Sequence, residues 1–243
     1  MKLSAILGFK RLKRRLYVVL TGTIVTGILS LLFALITFYG QNAGNFVLTI
    51  DPEAQNRGIE LSDDVFFTFP TARLVTDPVT NARDITYAWL KLDEIRETDG
   101  MYTDPDYVYV AYTFYLRNSG AETVDISYYI RITETFKAMD EAVRFLIIED
   151  DTFERMYMKP DDVPLNAPVP EYYNMPDAAV WNSDTIVFRE FITNFKPGQV
   201  KKFSLVVWLE GQDPDTTDAV LGGMLKAFMN FSIDLDGSIL GGG

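Results

Sequence analysis

The chain contains no cysteine and no histidine among its 243 residues. The absence of cysteine excludes disulfide bonds, thiolate zinc sites and thiol nucleophiles. The absence of histidine removes the commonest general base and the commonest transition-metal ligand. There is also no phosphate-binding glycine loop, no G-x-S-x-G and no S-x-x-K. We therefore predict a protein that is not an enzyme, with no catalytic, cofactor-binding or metal-binding residue to assign and no cofactor.

Basic residues are scarce outside the N-terminus. Residues 1–15 hold six of the 22 lysines and arginines and no acid, so the rest of the chain has 16 basic and 34 acidic residues, a net charge of −18. Nucleic-acid binding needs a basic face. The acidic main body therefore predicts that the protein does not bind nucleic acid.

The basic tail at 1–15 is followed by 25 residues without a charged side chain, at 16–40. A helix of that length spans about 37 Å, enough for a hydrocarbon core of about 30 Å. Because basic residues stay on the cytoplasmic side, the charge difference predicts a cytoplasmic tail and an extracellular region from residue 41 onward. The sequence therefore predicts a single-pass protein of the cell membrane, and the membrane is the first of its expected partners.

A cleaved signal peptide is the alternative. The small-residue site nearest the apolar run is "QNA" at 41–43. The apolar run is longer than the 7–15 residues usual for a signal peptide. A retained signal anchor and cleavage near Ala43 both stay open at this point.

The remainder alternates apolar and polar residues with a period of two, which indicates strands with one wet face. Two neighbouring runs, 107–118 and 122–133, are joined by "NSGAE" and predict an antiparallel hairpin. Pro197 and Gly198 predict a type II turn before another run. Further strands are expected at 45–50, 64–69, 84–92, 143–149, 185–192, 200–210 and 225–235. The expected fold is all-β, an antiparallel β-sandwich of jelly-roll or Ig-like type over 41–236, with a flexible tail at 237–243.

Two segments do not fit regular strands, and the first of them, residues 93–106, is predicted to be a long acidic loop. Residues 150–184 carry five of the eleven prolines and predict a long loop with aromatic and sulfur side chains in or near it: Tyr172, Tyr173, Met175 and Trp181. Long loops in compact domains are often functional. This loop either packs its own aromatic residues over one end of the sandwich or binds a partner.

A separate acidic stretch, between the strands expected at 200–210 and 225–235, contains Asp213, Asp215 and Asp218. A calcium loop of the EF-hand type requires Gly at position 6 and Glu at position 12, and both are missing here. The alternative is a crossover between strands, with Thr217 or Asp218 as a helix cap and Gly222–Gly223 as its end. Crossover, calcium site and partner contact are the three interpretations.

The segments "YTFYLRNSGAETVDISYYIRI" and "NFKPGQVKKFSLVVWLE", after a basic-flanked apolar segment, resemble the TasA/camelysin family of bacterial surface proteins. The resemblance covers about residues 105–235 and implies an exported jelly-roll or Ig-like sandwich. It also implies that strand donation can build extracellular fibres. Camelysin is described as a metalloprotease, but no residue set here matches such a site.

The expected function is therefore a non-enzymatic, membrane-anchored structural or adhesive protein of the cell surface. The alternatives are a fibre subunit formed by strand donation after cleavage near Ala43, and a surface module that binds carbohydrate, peptide or calcium. The expected protein partners are a second copy of the chain or another surface protein.

Overall fold

The computed structural model describes residues 17–34, 46–160 and 173–234, which belong to two compact units that meet in sequence at residues 43 and 44. The basic tail at 1–15, the site at Ala43 and the tail at 237–243 lie outside the described residues. The first unit contributes helix α1 (Tyr17–Ala34), with a mean hydropathy of 2.0 and no buried residue. The hydroxyls of Thr23 and Thr26 donate to carbonyls one turn earlier, which satisfies them within the helix. By length and composition α1 is able to cross a membrane.

The second unit is mostly β. Its described residues form twelve strands: β1 (Phe46–Ile50), β2 (Ile59–Ser62), β3 (Arg73–Val75), β4 (Gly100–Met101), β5 (Val110–Asn118), β6 (Val124–Phe136), β7 (Val143–Glu149), β8 (Phe153–Met158), β9 (Ala178–Val180), β10 (Ile186–Phe195), β11 (Val200–Leu209) and β12 (Met224–Ile233). Three short helices connect them: α2 (Pro52–Asn56), α3 (Leu92–Glu97) and α4 (Met139–Ala142).

The strands form two sheets. The first sheet has the order β10-β6-β12-β1-β3, and the second has β2-β5-β11-β7-β8-β9, with β4 paired to β5. Two neighbouring pairs are parallel, β1 with β12 and β8 with β9. The prediction of an antiparallel sandwich is wrong at these two pairs. A parallel pair needs a long stretch of chain between its strands, so that both strands start at the same edge of the sheet, and both pairs have one.

The two sheets pack face to face over one core of aromatic rings. Phe114 on β5 stacks on Phe203 on β11, with ring centroids 5.3 Å apart. Tyr128 on β6 meets Phe203 at 5.5 Å, and Phe231 on β12 meets Phe114 at 6.0 Å. Since β5 and β11 belong to the second sheet and β6 and β12 to the first, these contacts join the layers into a sandwich-like arrangement.

The predicted hairpin of 107–118 with 122–133 does not form, because β5 lies in the second sheet and β6 in the first. Both strands place their apolar side chains in the shared core, so they face each other across it. The side chain of Asn118 holds the corner, since its amide donates to the carbonyls of Glu122 and Phe195, each at 2.8 Å. The N–H of Gly198 donates to the carbonyl of Asn118 at 2.7 Å. Gly198 has a φ of +79°, as the predicted turn requires.

The outer face of the second sheet is covered by the chain between residues 84 and 109. Buried Ile85, Leu90 and Ile95 belong to a second apolar cluster that includes Val206 and Trp208 of β11. The strand predicted at 84–92 is a 3₁₀ turn at Tyr87–Trp89, and the acidic loop predicted at 93–106 begins within α3. The strand predicted at 64–69 is a loop, whereas those at 45–50 and 143–149 are confirmed by β1 and β7.

The long loop predicted at 150–184 contains two strands, β8 and β9. Its residues 161–172 lie outside the described part of the chain. β8 pairs with β7 through a turn in which Asp150 and Asp151 both have positive φ. The prediction of one long loop is therefore wrong at both ends. The prolines, which suggested the loop, lie at 160–176, between the end of β8 and the start of β9.

Candidate functional site

Asp213 of the acidic stretch is buried in an ion pair. Its Oδ2 lies 2.5 Å from Nη1 of Arg144 on β7, and both side chains are fully buried. Its Oδ1 accepts a hydrogen bond from the N–H of Asp215 at 2.7 Å, which forms the expected aspartate turn. Asp213 thus fastens the loop to β7.

The rest of the stretch follows the crossover interpretation. The hydroxyl of Thr217 accepts from the N–H of Ala219 at 3.3 Å and caps a 3₁₀ turn at Asp218–Val220. Gly222 then has a φ of +70°. Asp218 is exposed and Asp213 faces Arg144, so the three aspartates do not converge on one point. No group of three or more carboxylates within 17–34, 46–160 and 173–234 is arranged to hold a metal ion.

Gln212 brings the acidic stretch together with the Pro-rich segment. Its side-chain oxygen accepts from the N–H of Tyr173 at 2.6 Å, and its amide donates to the carbonyl of Tyr173 at 3.0 Å. The same amide donates to the hydroxyl of Thr86 at 2.5 Å. The sequence singled out both segments without indicating that they meet.

The aromatic residues of the Pro-rich segment divide into packed and exposed. Trp181 is buried, meets Phe145 edge-on at 5.8 Å and has Lys159 5.4 Å from its ring centroid. The side chain of Tyr173 is 77% exposed, Met175 is half-buried against the second apolar cluster, and Tyr172 lies outside the described residues. The segment therefore packs Trp181 into the core and presents Tyr173 to solvent.

A network of tyrosines and carboxylates ties the two sheets together. The hydroxyl of Tyr128 donates to Glu149 at 2.5 Å, and that of Tyr157 donates to Glu190 at 3.1 Å. Arg155 pairs with both carboxylates. Burial first, and then the charge of Glu149, raises the pKa of Tyr128. A tyrosine that stays neutral at any physiological pH acts here as a hydrogen-bond donor between layers.

The loop at 63–70, "DDVFFTFP", carries the most exposed aromatic side chains in the described part of the chain. Phe66 is 85% exposed and Phe69 is 81% exposed. Between them Phe67 is buried under the guanidinium of Arg117, which lies 4.0 Å from its ring centroid. The sequence predicted a strand at 64–69, although three phenylalanines in four residues break the period of two expected for a strand with one wet face.

Asp64 gives this loop a defined shape. Its Oδ1 accepts from the N–H of Phe66 at 2.9 Å, and its Oδ2 accepts from the N–H of Thr68 at 3.0 Å. Phe67 is held at a φ of +54°, a conformation that costs a non-glycine residue about 1–2 kcal/mol. The side-chain bonds and the packing of Phe67 therefore fix a conformation that leaves two phenylalanines in water.

Comparison with known protein families, with curated proteins and with solved structures found no match to the chain.

Proposed function

We propose that the chain is a membrane-anchored, non-enzymatic surface protein whose β unit lies outside the cell and makes structural or adhesive contacts. The proposed anchor is α1, whose 18-residue apolar window is long and apolar enough to cross a membrane and has no side chain buried in the protein. The six basic residues before it favour a cytoplasmic N-terminus. The resemblance to the TasA/camelysin family and a jelly-roll or Ig-like sandwich are part of the same proposal.

The observation that carries the adhesive role is the loop at 63–70. Phe66 and Phe69 are both exposed by more than four-fifths, and covering their rings with a partner would remove apolar surface from water and favour association. A phenylalanine has about 150–250 Å² of surface to bury, so Phe66 and Phe69 together fall short of the roughly 800 Å² per partner of a stable soluble complex. Confinement of two copies in one membrane raises their effective concentration and makes such a weak contact useful. The proposed partner is a second copy of the chain.

Protease treatment of intact cells tests the topology. External protease should degrade the β unit and leave α1 in the membrane. Resistance until the cells are lysed would refute the extracellular location.

Cross-linking on intact cells tests the contact. Phe66→Ser with Phe69→Ser should reduce cross-linked dimers, whereas Phe153→Ser should not. Phe153 is a matched control, since it is 67% exposed but lies on β8. Equal dimer yields for the wild type and the double variant would refute the role of the loop.

A second candidate is the fibre subunit formed by strand donation after cleavage near Ala43. It is favoured by β1, which begins at Phe46, three residues after Ala43, and lies between β12 and β3. Phe46, Leu48 and Ile50 of this strand are buried, so a neighbouring copy accepting it would gain a filled core. N-terminal sequencing of the mature protein decides, because an intact residue 1 on every molecule excludes this route.

A further inference from the structure

One outer face of the sandwich is covered by other parts of the chain, and the other displays exposed arginines. Residues 84–109 cover the second sheet, as described above. On the first sheet, Arg73, Arg131 and Arg189 all point outward and are exposed, and no element within the described residues covers them. An acidic domain with one open face that displays arginine has a natural docking surface for an anion.

The strand register places these residues in two rows on that face. One row crosses all five strands and consists of Arg73, Thr49, Asn230, Tyr129 and Arg189. The adjacent row consists of Val75, Val47, Phe228 and Arg131. Neither row contains an acidic residue. Four spacings of about 4.8 Å separate the two ends of the first row, so the arginines span about 19 Å.

None of the three arginines forms an ion pair with a carboxylate of the described chain, although nine other basic residues of the β unit do: Arg57, Arg96, Arg117, Arg144, Arg155, Lys159, Lys201, Lys202 and Lys226. Arg189 lies 4.6 Å from the ring centroid of Tyr129, and its Nη1 donates to the hydroxyl of Ser127 at 3.3 Å. Tyr129 in turn meets Phe228 edge-on at 5.9 Å. Stacking and hydrogen bonding hold this guanidinium in place, and no carboxylate within residues 46–160 and 173–234 forms an ion pair with it.

We propose that the open face of the first sheet, defined by these two rows, binds an anionic polysaccharide. Arginines about 19 Å apart suit a linear polymer with several acidic groups better than a single small anion. Between them half-buried Thr49 offers a hydroxyl of the kind that recognises sugars, and this hydroxyl is held by a 2.9 Å hydrogen bond to the side-chain oxygen of buried Asn230. The half-buried rings of Tyr129 and Phe228 add a surface for sugar rings. This inference rests on the proposed adhesive function and supplies a ligand class for it.

The experiment measures binding of polygalacturonate to the full chain in detergent micelles. The test variant carries Arg73→Gln, Arg131→Gln and Arg189→Gln. The control carries Arg83→Gln, Lys91→Gln and Lys196→Gln, which removes the same charge from residues that lie outside both rows and that also lack a carboxylate partner in the described chain. We expect the test variant to lose about tenfold or more in affinity and the control about twofold or less, with binding weakened by salt. Neutral dextran should not bind.

Equal losses in the two variants would overturn the proposal in favour of general charge attraction. Binding of poly-glutamate without binding of polygalacturonate would overturn it in favour of an acidic protein partner, and binding of neither would overturn it outright. Because the measurement uses solubilised protein, a failure here is distinct from a failure of the protease test of topology.

Discussion

Removal of one partner from the Arg144–Asp213 pair is the sharpest test of how the acidic stretch is held. Both side chains are fully buried, with 2.5 Å between Nη1 and Oδ2. Replacing Asp213 by Asn keeps the oxygen that accepts from the N–H of Asp215 but removes the charge opposite Arg144. An uncompensated buried charge costs about 3–5 kcal/mol, a large part of the roughly 5–15 kcal/mol that stabilises a typical domain.

Urea unfolding of the full chain in mild detergent, followed by tryptophan fluorescence, gives the free energy of unfolding. Asp218→Asn is the matched control, because Asp218 is exposed in the same loop and should change stability by about 0.5 kcal/mol or less. In the double variant Arg144→Met, Asp213→Asn neither charge remains, so its cost should fall below the sum of the single costs by about 2–3 kcal/mol.

Two results would contradict this reasoning. Equal destabilisation by Asp213→Asn and Asp218→Asn would mean that burial of the pair does not matter. Additive costs in the double variant would mean that Arg144 and Asp213 do not stabilise each other.

Three further predictions concern the turns, the tyrosines and calcium. Gly198→Ala should lower the free energy of unfolding by about 1–2 kcal/mol, measured by thermal unfolding, because its φ is +79° although the space around it is open. Gly120→Ala should lower it by more, since a Cβ there would lie 2.0 Å from the carbonyl oxygen of Arg57. Burial, followed by the charges of Asp63 and Asp77, raises the pKa of Tyr112 to about 12, against about 10 in an unfolded chain. Because the unfolded chain loses this proton at a lower pH than the folded protein, the contribution of neutral Tyr112 to stability is complete below pH 10 and is lost between pH 10 and 12. Urea midpoints should therefore fall over that window, and a flat profile would contradict the prediction. Calorimetry with Ca²⁺ should give no heat and no melting shift, because Asp213 already faces Arg144; a saturable heat would restore the calcium interpretation.

The sequence predicted the local features of the fold well. The uncharged run overlaps the exposed apolar helix α1, and the period-two runs at 45–50, 143–149, 185–192, 200–210 and 225–235 each correspond to a strand. The turn at Gly198 and the cap at Thr217 were also predicted. These features depend on neighbours a few residues away, so their signals are contained in short stretches.

The sequence did not predict which strands pair. β5 and β6 are adjacent in sequence and share an alternating pattern, yet they lie in different sheets, since their apolar faces meet across the core. The parallel pairing of β1 with β12 joins residues about 180 positions apart and has no local signature. Phe66 and Phe69 were predicted to lie in a strand at 64–69. Hydrophobicity does not distinguish them from Phe67, which is the one of the three phenylalanines that is buried.

Tertiary structure also decided the candidate sites. Asp213 is apparent as an acidic residue in a turn, but its partner Arg144 lies on a distant strand. The row from Arg73 to Arg189 exists only because five strands are aligned in register. Alternation along one strand gives the face on which a residue lies, whereas the neighbours across the sheet depend on the order and register of all the strands. The sequence by itself therefore determined the apolar helix, five of the strands and the turn at Gly198, and the packing of the two sheets determined which charges are buried in pairs and which are left on the open face.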